Sequence, residues 1–279
     1  MTNLLDPKLD YIFKNIFGVE KHKHLLISFL NALLKGNPLI KTLELTNTEI
    51  PKIFKDDKAS RLDVRATCND DTEIDIEIQC KNTGEIPERA MYYLANMIPH
   101  TVEANESYKA SKVIGIWILG KNVTDRKDAI GEAYMTFQAT DCDPYQILTE
   151  TARIIFIELE KFNPKNADAR DLLTAWLSFL KDPIFIDESF LKVEEVKGAL
   201  ERLKYISADK EIRAMADLRQ RTINDRNSEM IVAREEGREE GIAEGKREAT
   251  LSMLINGLPV DIISKCTGLS IEDIKNLPK

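Results

Sequence analysis

Cysteine and histidine are scarce: four cysteines (Cys68, Cys80, Cys142, Cys266) and three histidines (His22, His24, His100) in 279 residues. No two cysteines form a C-x-x-C pair and no histidine joins them at ligand spacing, which argues against a disulfide framework and against structural zinc. No apolar run approaches the ~20 residues that span a bilayer, so no membrane partner is expected. The opening stretch MTNLLDPKLDYIFKN lacks the basic start and apolar region of a secretory signal. The compartment these absences imply is the cytoplasm. There is no Walker loop, no H-E-x-x-H and no G-x-S-x-G, which leaves ATP-driven, zinc-protease and serine-hydrolase chemistry without support. An excess of positive charge is missing too. The net charge is -8, which argues against a broadly basic nucleic-acid binder, because nonspecific duplex affinity comes from Lys and Arg neutralising phosphates.

What is present is the composition of a folded domain, 43% hydrophobic and 31% charged. The acidity is uneven. Residues 1–124 hold 16 basic and 17 acidic side chains and the remainder 23 against 30, so the first part has room for a local basic groove. In DYIFKNIFGVEKHKHLLISFLNALL the apolar residues Phe13, Ile16 and Phe17, then Leu25, Leu26, Phe29, Leu30 and Leu33, stand at helical spacing, with Gly18 as a break. Two helices follow, ended by Gly36 and Pro38. LIKTLELTNTEI has the alternation of a strand, and LDVRATC with TEIDIEIQCK, joined through Asn69-Asp70-Asp71, reads as a β-hairpin. A helix from Ile86 to about Glu106, kinked or ended by Pro99, leads to KVIGIWILG, the continuous apolar run of a buried central strand, and ARIIFIELE resembles it. Beyond Pro164 the pattern is helical, with Leu172, Leu173, Trp176, Leu177 and Leu180 on one face.

We therefore expect a catalytic α/β domain over 1–160, a helical scaffold over 161–226, and a glycine-striped helix with a small helical tail over 227–279. The stripe Gly237, Gly241, Gly245 permits close helix approach, at about 1 kcal/mol of helix propensity for each glycine, and suggests a homodimer through the C-terminal helices. The tail LPVDIISKCTGLSIEDIKNL has a helix-turn-helix outline with Ser270 as N-cap. Its second helix offers Glu272 and Asp273 with only Lys275 and Lys279, poor equipment for reading DNA.

The hairpin carries the candidate chemistry. With the turn centred on Asp70, Asp63 lies opposite Glu77, Arg61 opposite Gln79 and Arg65 opposite Asp75. Alternation puts Asp63, Asp75, Glu77, Gln79 and Lys81 on one face and Leu62, Val64, Ile74, Ile76 and Ile78 on the other. Opposed carboxylates repel unless a cation, a proton or a basic neighbour compensates, and oxygen donors of this kind suit Mg²⁺ or Mn²⁺. Spacing alone leaves open an ordinary solvated strand face in which Arg65 and Arg61 make cross-strand pairs.

The segment SRLDVRATCNDDTEIDIEIQC, with Asp63 and the Glu77-x-Gln79 motif, resembles the PD-(D/E)XK nuclease family transposases, also called recombination-promoting nucleases. DYIFKNIFG and RAMYYLANM are similar to that family as well, and together the resemblance covers roughly residues 6 to 120. It implies a restriction-endonuclease-like core, a mixed sheet flanked by helices with a helical C-terminal region after it, and metal-dependent cleavage of DNA phosphodiesters in recombination, mobile-element biology or defence. Asp63 and Glu77 would be metal ligands. Gln79 stands where many relatives have a lysine, and it can act neither as a cation nor as a general acid. That loss motivates an alternative, a catalytically inactive nuclease fold that binds DNA or a protein. Leu62 replaces the usual proline before the first acid.

Two lysines are candidates for the missing positive charge: Lys81, otherwise a snorkelling edge-strand lysine, and Lys58, just before the hairpin. Asp10 and Lys14 resemble a recurrent polar pair of the family; the plain alternative is an i,i+4 surface ion pair worth ~0.3 to 0.5 kcal/mol. Arg89 and Tyr92, at i,i+3 on the helix after the hairpin, are placed to face the site and contact a phosphate, or else Tyr92 and Tyr93 are boundary aromatics.

Overall fold

In the computed structural model the described residues are 4–46, 49–50, 60–61, 64–69, 71–79, 85–98, 110–137, 146–164 and 171–277, with the backbone alone at 49–50, 60–61, 79, 133–137, 146–150 and 226–227. They form two compact units, Met1–Asp217 and Leu218–Lys279.

The first unit begins with the two expected helices, α1 (Asp10–Phe17) and α2 (Lys23–Leu34), separated at Gly18. Gly36, at φ +71°, follows α2 in the left-handed conformation that favours glycine. The strands are β1 (Leu43–Leu45), β2 (Glu49–Ile50), β3 (Ser60–Arg61), β4 (Val64–Cys68) and β5 (Glu73–Gln79), then, after helix α3 (Ile86–Met97), β6 (Val113–Leu119), β7 (Ile130–Phe137) and β8 (Gln146–Glu158). Among the described residues, one sheet runs β1-β4-β5-β6-β8-β7 and a second pairs β2 with β3. β4–β5 is antiparallel, β5–β6 and β6–β8 are parallel and β7–β8 is antiparallel, so the large sheet is mixed. Every residue of β6 is buried, as its unbroken apolar run requires of a central parallel strand.

Two sequence expectations change. LIKTLELTNTEI is split between the two sheets, β1 pairing with β4 and β2 with β3. β7 has no counterpart in the sequence reading: it is an edge strand whose run IGEAYMTF is interrupted by Gly131 and Glu132, and its register against β8 is irregular around Met135.

Helices α4 (Leu172–Lys181) and α5 (Glu194–Ala208) belong to the first compact unit, which thus extends past residue 160. The reason is packing. Trp176, fully buried, meets Phe17 with ring centroids 5.6 Å apart, Phe29 at 6.1 Å and Phe179 at 6.1 Å, and its Nε1 donates to Ser28 Oγ at 3.2 Å. Asp171 caps α4 by accepting from the Thr174 N–H.

α6 (Lys210–Ile255) carries the chain into the second unit, where α7 (Val260–Thr267) and α8 (Ile271–Lys275) complete it. Gly268, at φ +73°, ends α7, and Ser270 caps α8 by accepting from the Asp273 N–H. Among the described residues, nothing beyond the local helix itself lies within 4 Å of where a Cβ would stand on Gly237, Gly241 or Gly245.

Replacing Trp176 with alanine removes its ring contacts to Phe17, Phe29 and Phe179 and a hydrogen bond from the centre of this aromatic group. We expect a loss of about 3 to 5 kcal/mol, measured as a lower denaturant midpoint at unchanged m-value.

Candidate active site

The hairpin β4–β5 pairs Val64 with Ile76, Arg65 with Asp75, Ala66 with Ile74 and Thr67 with Glu73. This is the register that a turn centred on Asp70 dictates. Cys68 closes it by donating its N–H to Thr72 O at 2.9 Å and accepting from the Asp71 N–H at 3.0 Å, with Asp71 at φ +61°. Asp71 is one of the residue types that tolerate that backbone.

Alternation then sorts β5 into two faces. Ile74, Ile76 and Ile78 are buried together with Val64, Ala66 and Cys68. Gly18 meets this side of the sheet: a Cβ on it would lie 3.5 Å from Val64 Cγ2. The other face carries Glu73, Asp75 and Glu77. The parallel register sets Glu73 beside Val113, Asp75 beside Gly115, Glu77 beside Trp117 and Gln79 beside Leu119. Val113, Trp117 and Leu119 belong to a core cluster with Ile86, Ala90, Leu94 and Met97 of α3, so α3 covers the acidic face.

This face is far from an ordinary solvated one. Asp75 is 1% and Glu77 5% exposed. Carboxylates at such depth carry a desolvation cost that ordinary surface acids do not. One cross-strand ion pair of the hairpin is diagonal: Arg65 Nε contacts Glu73 Oε2 at 3.2 Å, and Thr67 Oγ1 donates to Glu73 Oε1 at 2.7 Å. Glu73 is thereby assigned to structure.

Arg89, half-buried on α3, lies over Trp117 with its guanidinium carbon 5.4 Å from the ring centroid and over Tyr93 at 5.7 Å, while its Nη2 donates to Tyr93 Oη at 3.5 Å. Tyr93 and Trp117 are themselves 5.7 Å apart. A cation stacked on two rings is held in place as well as attracted, and Trp117 is the strand neighbour of Glu77. Arg89 thus meets Tyr93 at i,i+4, and Tyr92 beside it is exposed with its ring 6.3 Å from that of Tyr93. Trp117 and Tyr93 were absent from the expected site. The sequence held no signal for them, because only the parallel register of β5 and β6 brings Trp117 level with Glu77.

Asp10 opens α1 and Lys14 lies in its last turn, both half-buried, on a helix that contacts β5. Gln79 is the last residue of β5, placed by its backbone. Asp63, Lys58 and Lys81 lie outside the described residues. Among the described residues no three His, Cys, Asp or Glu side chains gather as a metal site. The donors named from the hairpin are carboxylate and amide oxygens, a set that fits a hard divalent cation and fits zinc poorly.

Residues 7–233 match the family described as PD-(D/E)XK nuclease family transposase. The chain belongs to that family. The match spans most of the chain and takes in the mixed sheet, α1 to α5 and part of α6. No curated protein and no solved structure matches the chain at a significant level. A nuclease-like protein is thus shown at the level of the family, and no helix of the described residues is long and apolar enough to cross a membrane.

A further buried acid is held by partners of its own. Glu158, 2% exposed, ends β8 beside Leu119. Its Oε1 accepts from the Thr124 N–H at 2.8 Å and from the Val123 N–H, and its Oε2 accepts from Thr124 Oγ1 at 2.6 Å and Lys161 Nζ at 2.7 Å. Burial alone would raise its pKa, but the Lys161 ammonium, the Thr124 hydroxyl and the two N–H groups outweigh it and hold the carboxyl at about 2. The bonds from Val123 and Thr124 tie the β6–β7 loop to the end of β8, and Lys161 supplies the balancing charge.

The folded pKa of Glu158 lies below its ordinary value of 4.5, so the stabilisation is fully present above the unfolded pKa and is lost as pH falls through the folded one. It amounts to about 3 kcal/mol. We expect stability to fall from about pH 5 towards pH 2 in the wild type and to fall less steeply over that window in Glu158→Gln, measured by denaturant unfolding at each pH.

Proposed function

We propose that this protein is a metal-dependent endodeoxyribonuclease in which Asp63 and Glu77 hold Mg²⁺ or Mn²⁺. The observation that carries the reading is Glu77, a carboxylate buried on an inner strand of the sheet beside Trp117, on which Arg89 stacks. The observed pairing of β4 and β5 ends at Val64 and Ile76, each one residue from the two acids of the motif. An antiparallel register carried one step further, as the sequence reading expects, would put Asp63 across from Glu77.

When bound, the metal supplies Lewis-acid polarisation of a phosphoryl oxygen and a water of lowered pKa. The chain's own residues orient and exclude. The wall formed by Trp117, Leu94 and Met97 keeps water from the acidic face, which strengthens every electrostatic contact there. Arg89, fixed by its two rings, is the side chain we assign to a phosphate oxygen of the substrate; its forked donors suit that geometry. The Gln79 amide can accept from or donate to a water and orient it, and it transfers no proton. Lys81 and Lys58 are proposed as the nearby cations, Asp10 and Lys14 as a polar substrate-binding pair on α1, and Tyr92 as an exposed contact to the DNA. The division we assign to function places chemistry in 1–160, support in 161–226 and a separate role in 227–279.

One observation favours a second reading. Gln79 leaves the motif without its cation, which suits a nuclease fold that binds DNA or a protein without cutting.

Cleavage of supercoiled plasmid with Mg²⁺, Mn²⁺ or EDTA separates the two. We expect nicking that requires metal and falls by at least about 100-fold, or roughly 2.7 kcal/mol of barrier, in folded Asp63→Ala and Glu77→Ala. Activity equal in the wild type and both variants would reject this assignment, and absence of activity in all three would favour the binding-only reading.

A further inference from the structure

The charge of this chain poses a problem for any polyanionic substrate, and the structure offers an answer away from the acidic face. Lys21, His22, Lys23 and His24 are four consecutive basic-type residues at the junction of α1 and α2. Lys21 and His24 are exposed, and the two imidazoles lie with ring centroids 6.4 Å apart. Arg202 of α5 comes to the same place: its Nε donates to Asn15 O in the last turn of α1 at 3.3 Å, and its guanidinium stacks 5.4 Å from the centroid of the exposed Tyr205 ring. Arg202, Lys21 and His24 are near enough to His22 that, after burial, their charges are what hold its pKa below the usual histidine value. Glu20 pairs with Lys23 and offsets part of this charge.

Gly18, two residues before Glu20, lies against the isoleucine side of the β4–β5 hairpin, where a Cβ on it would stand 3.5 Å from Val64 Cγ2, so the junction is seated on the same hairpin from its other face. The plain role of Arg202 is to satisfy a terminal carbonyl of α1, which does not account for two lysines and two histidines beside it.

We infer that the junction Lys21–His24, with Arg202, is a second contact surface for the sugar-phosphate backbone of the nucleic acid, distinct from Arg89. Resting on the nuclease reading, this places phosphate neutralisation at the α1–α2 junction and leaves the buried acids to hold the metal. Because the contacts are to phosphate, they add affinity without sequence preference and depend on salt.

The test measures binding of a short labelled DNA duplex of mixed sequence by anisotropy, in EDTA so that nothing is cut, over a range of salt. Wild type is compared with Lys21→Ala/Lys23→Ala, with Glu20→Gln and with Lys192→Ala, a control at an exposed lysine on the turn before α5. Thermal melting confirms that each variant is folded. The expected result is a plot of log affinity against log salt that is shallower by about 0.9 for each phosphate contact removed in the double lysine variant. Glu20→Gln should bind more tightly and Lys192→Ala should match the wild type. Plasmid cleavage at saturating protein should keep its rate in the double variant while its half-saturation rises. An unchanged slope in the double variant, with wild-type binding and cleavage intact, overturns this surface and leaves the nuclease reading standing. A wild type that neither binds duplex nor cuts plasmid overturns both.

Discussion

Strand β5 must carry three carboxylates through the centre of a sheet, and the arrangement around it follows from that demand. Its sequence EIDIEIQ alternates strictly, so a slip of one residue against β4 or β6 would drive Asp75 and Glu77 into the isoleucine layer and turn Ile74, Ile76 and Ile78 towards α3. The apolar layer therefore fixes the register, and the register fixes the acids. Each acid meets its burial differently. Glu73 is neutralised by Arg65 and Thr67, Asp75 lies beside the missing side chain of Gly115, and Glu77 lies level with Trp117 and the arginine that stacks on it.

The helices hold this strand from both sides. α3 covers the acidic face with Ala90, Leu94 and Met97 and brings Arg89 over Trp117. On the other side, α1 is held by residues far along the chain. Lys8 Nζ reaches Leu180 O at 3.3 Å and Lys181 O at 3.1 Å at the end of α4, the Leu5 N–H donates to Ser207 Oγ at 3.0 Å, and Arg202 reaches Asn15 O. Removing α4 and α5 would leave Trp176, Phe179 and the carbonyl partners of Lys8 missing from the layer that seats α1. The segment after residue 160 is therefore part of what positions Asp10, Lys14 and Gly18.

Much of this was legible because the apolar spacing is strong. The pattern of α1 and α2, the break at Gly18, the unbroken run of β6 and the turn between Cys68 and Thr72 each leave one physical solution, and the hairpin register followed from the turn alone. The edge strand β7 was not legible, since Gly131 and Glu132 interrupt its short apolar run. Nor was the joining of α4 and α5 to the first unit, because periodicity shows that a helix has an apolar face and does not say what covers it. At the candidate site, the placement of Glu77 on the face opposite the isoleucines could be read from alternation. The Arg89–Tyr93–Trp117 stack could not, since it depends on a parallel pairing of strands separated by α3.

The central claim is that Glu77 is buried in order to hold a divalent cation. Ligand binding to the folded state alone raises its stability in proportion to the logarithm of ligand excess, so the direct measurement is the melting temperature of the wild type and of Glu77→Gln as Mn²⁺ is titrated in. The account predicts a saturable rise in the wild type and a flat response in Glu77→Gln. An equal rise in both would show that the cation binds elsewhere and would contradict it.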